Sequence, residues 1–150
     1  MNVVKNADFD FKFSDGSAAT FTVEALPKSD RQMLLGLSKA KRQNFEKRNE
    51  DILDRWDFDK FYSLLVRRVV KGWTGLLNKH LLVILDCDDE VADKWQFKGD
   101  GRAEFEIEYS EDQKREIADL HSPMFRTFID TCLETLAEQN VAAKEKQLKN

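Results

Sequence analysis

Four carboxylates, Asp86, Asp88, Asp89 and Glu90, follow directly on the apolar run Leu81 to Leu85. Carboxylates at the end of a strand can gather Mg²⁺ for phosphoryl or hydrolytic chemistry, which makes a metal-dependent nuclease or hydrolase one reading of the 86–90 cluster. That chemistry needs a further carboxylate, an acid/base group and a basic surface for its polyanion. Glu104 or Glu106 with Lys98 are the residues at hand, and their spacing fits no metal-site pattern. A solvated acidic loop is the simpler account of such a run. His80 and His121, the two histidines, each sit at an element boundary with no nucleophile specified nearby in sequence. Cys132 falls on an apolar helical face as a small core residue, and Cys87 sits among acids that disfavour a thiolate.

The elements that must position these groups alternate between two periodicities. Phe9, Phe11 and Phe13 alternate with polar residues, Ser14-Asp15-Gly16-Ser17 intervenes, and Phe21 and Val23 alternate again, which predicts a β-hairpin. So apolar a hairpin needs a helical cover. Ser29 and Gln32 have capping-box spacing and predict a helix start. Asp57 predicts another, with Phe58, Phe61, Tyr62, Leu65, Val66, Val69 and Trp73 as one stripe and Gly72 and Gly75 at its exit. Leu81 to Leu85 reads as a strand or a buried helical turn. Ala103, Phe105, Ile107 and Tyr109 alternate with Glu104, Glu106 and Glu108, a strand pattern with an acidic outer face. Ser110 with Gln113 opens a helix that His121-Ser122-Pro123 interrupts. Ser122 caps the last helix, whose core face is Phe125, Phe128, Ile129, Cys132, Leu133 and Leu136. After Ala137 the apolar spacing fails and a frayed tail is expected. The expected fold is α+β: a mainly helical single domain over 1–141, with the N-terminal β-hairpin, one or two further short strands, and a flexible tail at 142–150. Its first core residues are Phe11, Phe61, Leu65, Val69, Trp73, Phe125, Phe128 and Ile129.

Composition narrows the function. The 150 residues carry 24 basic and 28 acidic groups, net −4, which argues against general affinity for nucleic acid or an anionic membrane. A small DNA-binding regulator is therefore a third reading, behind the enzyme. Two cysteines and two histidines are too few and too scattered for structural zinc, and no cofactor or metal is expected. The longest apolar run has five residues, far short of the roughly 20 that span a bilayer. No secretory signal is read at the start, so a cytosolic location is expected. The small net charge conceals a segregation. From Lys28 to Arg48 there are seven bases and two acids, a local +5, and from Asp86 to Asp112 eleven acids and three bases, a local −8. Such polarity suits assembly with other proteins, including other copies of the chain.

The order of features carries a resemblance. A phenylalanine-rich hairpin precedes a basic helix, a helix ends in Val70-Lys71-Gly72-Trp73-Thr74-Gly75-Leu76, Tyr109-Ser110-Glu111-Asp112 opens another, and the last begins near Pro123 with Phe125, Phe128 and Ile129. Over residues 3 to 137 this resembles the tail assembly chaperones of long-tailed, siphovirus-type bacteriophages and related prophages. In that family a V-x-x-W-x-G-like element is followed, after a short connection, by an aromatic residue, Ser and an acid. Here the connection 77–109 exceeds thirty residues and contains the acidic cluster. The resemblance implies a non-enzymatic protein that holds the tape measure protein soluble and recruits the tail tube protein during tail assembly, in the bacterial host cytoplasm. It brings no catalytic residues. Lys39, Lys41, Arg42, Trp73 and Leu76 are the candidate partner-binding residues, the last two on condition that they are exposed.

Overall fold

In the computed structural model, residues 5–38, 57–86 and 102–148 are described. β1 (Asn6–Lys12) and β2 (Ala18–Glu24) form the hairpin, and β3 (Val70–Thr74) adds to the other edge of β2, giving an antiparallel sheet of order β1-β2-β3. The turn follows the Asp-Gly signal: Gly16 takes φ 89°, a conformation that favours glycine, and Asp15 Oδ1 accepts the Ser17 amide at 2.9 Å. One face of the sheet is wet. There, Thr20 and Thr22 donate to Asp10 and Asp8 across the strands at 2.7 and 2.6 Å. The other face presents Phe11, Ala19, Phe21 and Val23, all buried.

Helices cover that face as the hairpin requires. α1 is Lys28–Leu37, α2 Phe58–Val69, α3 the single turn Leu81–Ile84, α4 Glu111–Leu120 and α5 Pro123–Leu148. α2 packs along α4, and the first half of α5 crosses under the sheet. Phe21 meets Phe125 and Phe128 edge-on at 5.3 and 5.6 Å, and Phe11 meets Phe128 at 5.0 Å, an aromatic seam joining sheet to helix. The anticipated core residues are buried, with Phe128 partly so. Two caps form where sequence placed them, Asp57 on the Lys60 amide at 3.0 Å and Ser110 on the Gln113 amide at 3.1 Å. Ser122 also caps, accepting the Phe125 amide at 3.2 Å while its hydroxyl donates to Val83 O at 2.7 Å.

Several expectations are corrected. α1 begins at Lys28 with Pro27 as its N-cap and no side-chain cap, so the Ser29/Gln32 box does not form; the preset φ of Pro27, −61°, leads straight into the helix. α2 stops at Val69 instead of reaching Trp73, because the β-branched pair Val69-Val70 passes into a strand that sheet pairing rewards. Register runs Thr22↔Gly72 and then Val23↔Val70, so Lys71 is the extra residue of a bulge. That extra residue lets Val70 and Trp73, three apart, both face the core, imitating a helical stripe in the sequence. The 103–109 segment forms a 3₁₀ turn at Arg102–Glu104 and a single bridge, Leu77↔Glu106, with no strand; Phe105 is exposed. Leu81 to Ile84 is the helical turn of the two readings. Of the tail expected at 142–150, the described part is helical as far as Leu148, since Ala, Glu, Lys and Gln propagate a helix that packing has already nucleated. Among the described residues no helix is long and apolar enough to cross a membrane.

Candidate functional site

Among the described residues, two places combine polar groups in arrangements that could bear on function. The first is a network that pins the hairpin tip to the turn after β3. His80 is buried, its ring stacked on Phe13 with centroids 3.8 Å apart and planes 2° from parallel. Its Nδ1 accepts the Leu77 amide at 3.0 Å, which leaves the proton on Nε2 to be donated to Ser17 Oγ at 2.8 Å. Ser17 in turn donates to Asp15 Oδ1 at 2.5 Å. Lys79 closes the network on Asp15 and Glu104 at 3.1 and 2.9 Å. Burial lowers the His80 pKa, and hydrogen bonds from Ser17 and Lys79 hold the Asp15 carboxyl far below the usual carboxylate range.

Serine, histidine and aspartate in one chain invite a comparison with a catalytic triad. The donor directions run the other way. In a triad the imidazole takes the serine proton; here His80 has no free lone pair, and the Ser17 proton lies toward Asp15. The arrangement ties three segments together and does not activate the hydroxyl.

The second place is a trough between the β2–α1 connection and the far half of α5. One part, about 400 Å³, is lined by Ala25, Leu26, Arg31, Asp130, Leu133 and Glu134 among others; a second, about 560 Å³, adds Lys5, Pro27 and Lys144. Both share Ala25, Leu26 and Asn140, so they form one continuous surface. On α5 the lining residues 130, 133, 134, 137, 140 and 144 follow helical spacing along one stripe. Tyr62 fixes one corner by donating to Asp130 at 2.6 Å, and burial together with that bond pushes its phenol pKa up to about 12. Arg126 lies 4.6 Å from the Tyr62 ring centroid while bonding Asp59 at 2.8 Å. Glu24 is held by Lys71 at 3.1 Å and Arg68 at 3.3 Å, which lower its pKa.

The residues singled out from sequence are distributed differently. Lys39, Lys41 and Arg42 lie outside the described residues, as do Cys87, Asp88, Asp89, Glu90 and Lys98; Asp86 is described and exposed. Trp73 and Leu76 are 6% and 0% exposed, so neither meets the condition for a direct partner contact. Trp73 instead donates its Nε1 proton to Ile107 O at 2.8 Å and packs edge-on against Tyr109 at 4.8 Å. Leu76 O accepts the Ile107 amide at 2.7 Å, and Phe105 O accepts that of Asn78 at 2.9 Å. Glu106 accepts the amide of Gly75, whose φ of 71° turns the chain out of β3. His121 sends Nδ1–H to Ala118 O at 2.7 Å and receives Arg126 at Nε2. Cys132 is a core residue whose thiol burial pushes up to about 12. Among the described residues no group of three or more His, Cys, Asp or Glu side chains could hold a metal ion.

No protein-family model, curated protein or solved structure matches this chain. The trough was missed in sequence because its α5 stripe mixes charge, amide and alanine. Its one legible signal is that the helical spacing Asp130, Leu133, Ala137, Asn140, Lys144 continues past the last core residue, Leu136.

Proposed function

We propose that the chain is a tail assembly chaperone of a long-tailed phage or prophage, acting without catalysis in the bacterial cytoplasm to hold the tape measure protein soluble and promote assembly of the tail tube. The observation that carries this reading is the contact between the two sequence elements on which the resemblance rests. The element ending in Trp73 and Gly75 and the element beginning at Tyr109 are separated by more than thirty residues in sequence, yet Trp73 touches both Ile107 and Tyr109. The chain leaves at Leu76 to Asn78 and returns beside itself at Phe105 to Ile107, bonded across the gap. The two elements on which the resemblance rests are thus neighbours in space despite the long acidic connection between them, and that proximity supports the reading. The segregated charge, +5 against −8, supports the same reading by favouring contacts with other proteins over a single small substrate.

Co-expression with the tape measure protein tests the function directly. The expected outcome is that most of that client moves into the soluble fraction and co-purifies with this chain. A client that stays insoluble and unbound at equal expression rejects the chaperone reading.

A further inference from the structure

We propose that His80 is a pH-sensitive latch: a proton taken on Nδ1 makes it release the Leu77 amide and loosens the hairpin tip, Phe13 to Ser17, from the 77–80 turn while the core stays folded. Such a latch operates whether or not the chain is a chaperone. In the closed form both ring nitrogens are committed. Nδ1 accepts the Leu77 amide at 3.0 Å, Nε2 lies 2.8 Å from Ser17 Oγ, and the ring lies flat on Phe13 at 3.8 Å. An amide N–H cannot accept, so a proton on Nδ1 sets two donors face to face and strips the Leu77 N–H of its acceptor. Turning the ring over does not repair this, because Cδ2 and Cε1 then occupy the two places and both bonds are forfeited. His80 is 2% exposed, so its imidazolium finds water only by leaving the slot between Phe13 and Leu77.

The charges around the ring do not hold it there. Among the described residues, Asp15 from the hairpin turn and Glu104 from the 102–104 turn favour the proton, and Lys79 opposes it. Lys79 bonds both acids, at 3.1 and 2.9 Å, which offsets much of their pull. Burial outweighs all three and lowers the pKa from 6.5. The open form therefore binds the proton more tightly than the closed one, and opening gains ground as pH falls below about 6.5. Asp15, held far below the usual carboxylate range, stays ionised throughout. Its pair with Lys79 also joins tip to turn, but solvent reaches both partners and the pair adds little hold. The opening stays local because the seam of Phe11, Phe21, Phe125 and Phe128 is built without His80.

The test is amide hydrogen exchange followed by NMR in the full chain from pH 7.5 to 5.0, with each rate divided into that of an unfolded peptide at the same pH to give a protection factor. Protection of the Leu77 amide is expected to fall about threefold or more over this range, while that of Ile129 in the buried half of α5 stays level. The His80 ring, read in the same samples, should titrate with a midpoint below 6.5. His80→Asn offers Oδ1 as an acceptor for the Leu77 amide and takes no proton in this range, so its Leu77 protection should stay level. Leu77 protection that is level in the parent chain overturns the latch. So does an equal fall at Ile129, which would mean global unfolding, or a His80 midpoint at or above 6.5. The same fall in His80→Asn overturns it as well; should that variant not fold, the three parent-chain readings decide by themselves.

Discussion

The two halves of α5 share one helical geometry and meet opposite environments. From Phe125 to Leu136 the inward stripe Phe125, Ile129, Cys132, Leu133 and Leu136 is buried beneath the sheet. From Ala137 to Lys146 no side chain is buried, although the helix continues. Burial holds the first half in place, whereas the second is helical because its residues favour helix and its first turn is already formed. The core therefore draws on the first half of α5, while the second half meets the rest of the chain only in part, with Asn140 and Ala143 half-buried.

The comparison breaks most readily at the seam. Phe125→Ala should destabilise the fold by about 3–5 kcal/mol in chemical denaturation, through lost contact with Phe21 and the cavity left behind. Val141→Ala, on the exposed half, should change it by no more than about 0.5 kcal/mol. Similar losses in the two variants would mean the far half is packed after all. Next in size is Trp73→Phe, which keeps a ring in the core but strips Ile107 O of its donor; about 1–3 kcal/mol should be lost, read from the denaturation midpoint.

A smaller effect separates the hairpin tip from the seam by pH. His80 sits below its ordinary pKa of 6.5 because burial disfavours the imidazolium, with Asp15 and Glu104 pulling the other way and Lys79 opposing protonation. The unfolded chain thus takes up the proton first. The stabilisation is complete above about pH 6.5 and declines as pH falls below it. Melts from pH 7.5 to 5.5 should show this decline in the parent chain and a flatter profile in His80→Asn; equal slopes would remove His80 from the account. The smallest effect is expected from ending the chain after Gln139. Stability should change by less than about 1 kcal/mol in chemical denaturation, and a cooperative loss of fold would contradict the division of α5.

Much of the interior was legible before any coordinates. The period-two phenylalanines, the Asp-Gly turn and the Asp57, Ser110 and Ser122 caps are local signals, and each appears where its spacing places it. Trp73 misled because a bulge at Lys71 makes a strand imitate a helical stripe, and a bulge has no signature short of its pairing partner. The 103–109 alternation misled for a related reason: period two describes an extended chain, but only a neighbouring strand makes it a sheet, and here Leu77 offers one bridge. The candidate contacts Trp73 and Leu76 were chosen by position in a motif, which says nothing about exposure.

By itself the sequence determined which residues must be hidden, where most helices begin, and that charge is segregated between two stretches, because hydrophobic periodicity, capping and charge are properties of neighbouring residues. Only the tertiary structure decided that Trp73 holds Ile107 and Tyr109 across the long connection, that His80 is a donor to Ser17 and not its base, and that α5 outruns its core to form one wall of a trough. Each of these depends on which distant segments meet, and burial, proton placement and surface shape are set by those meetings and not by local spacing.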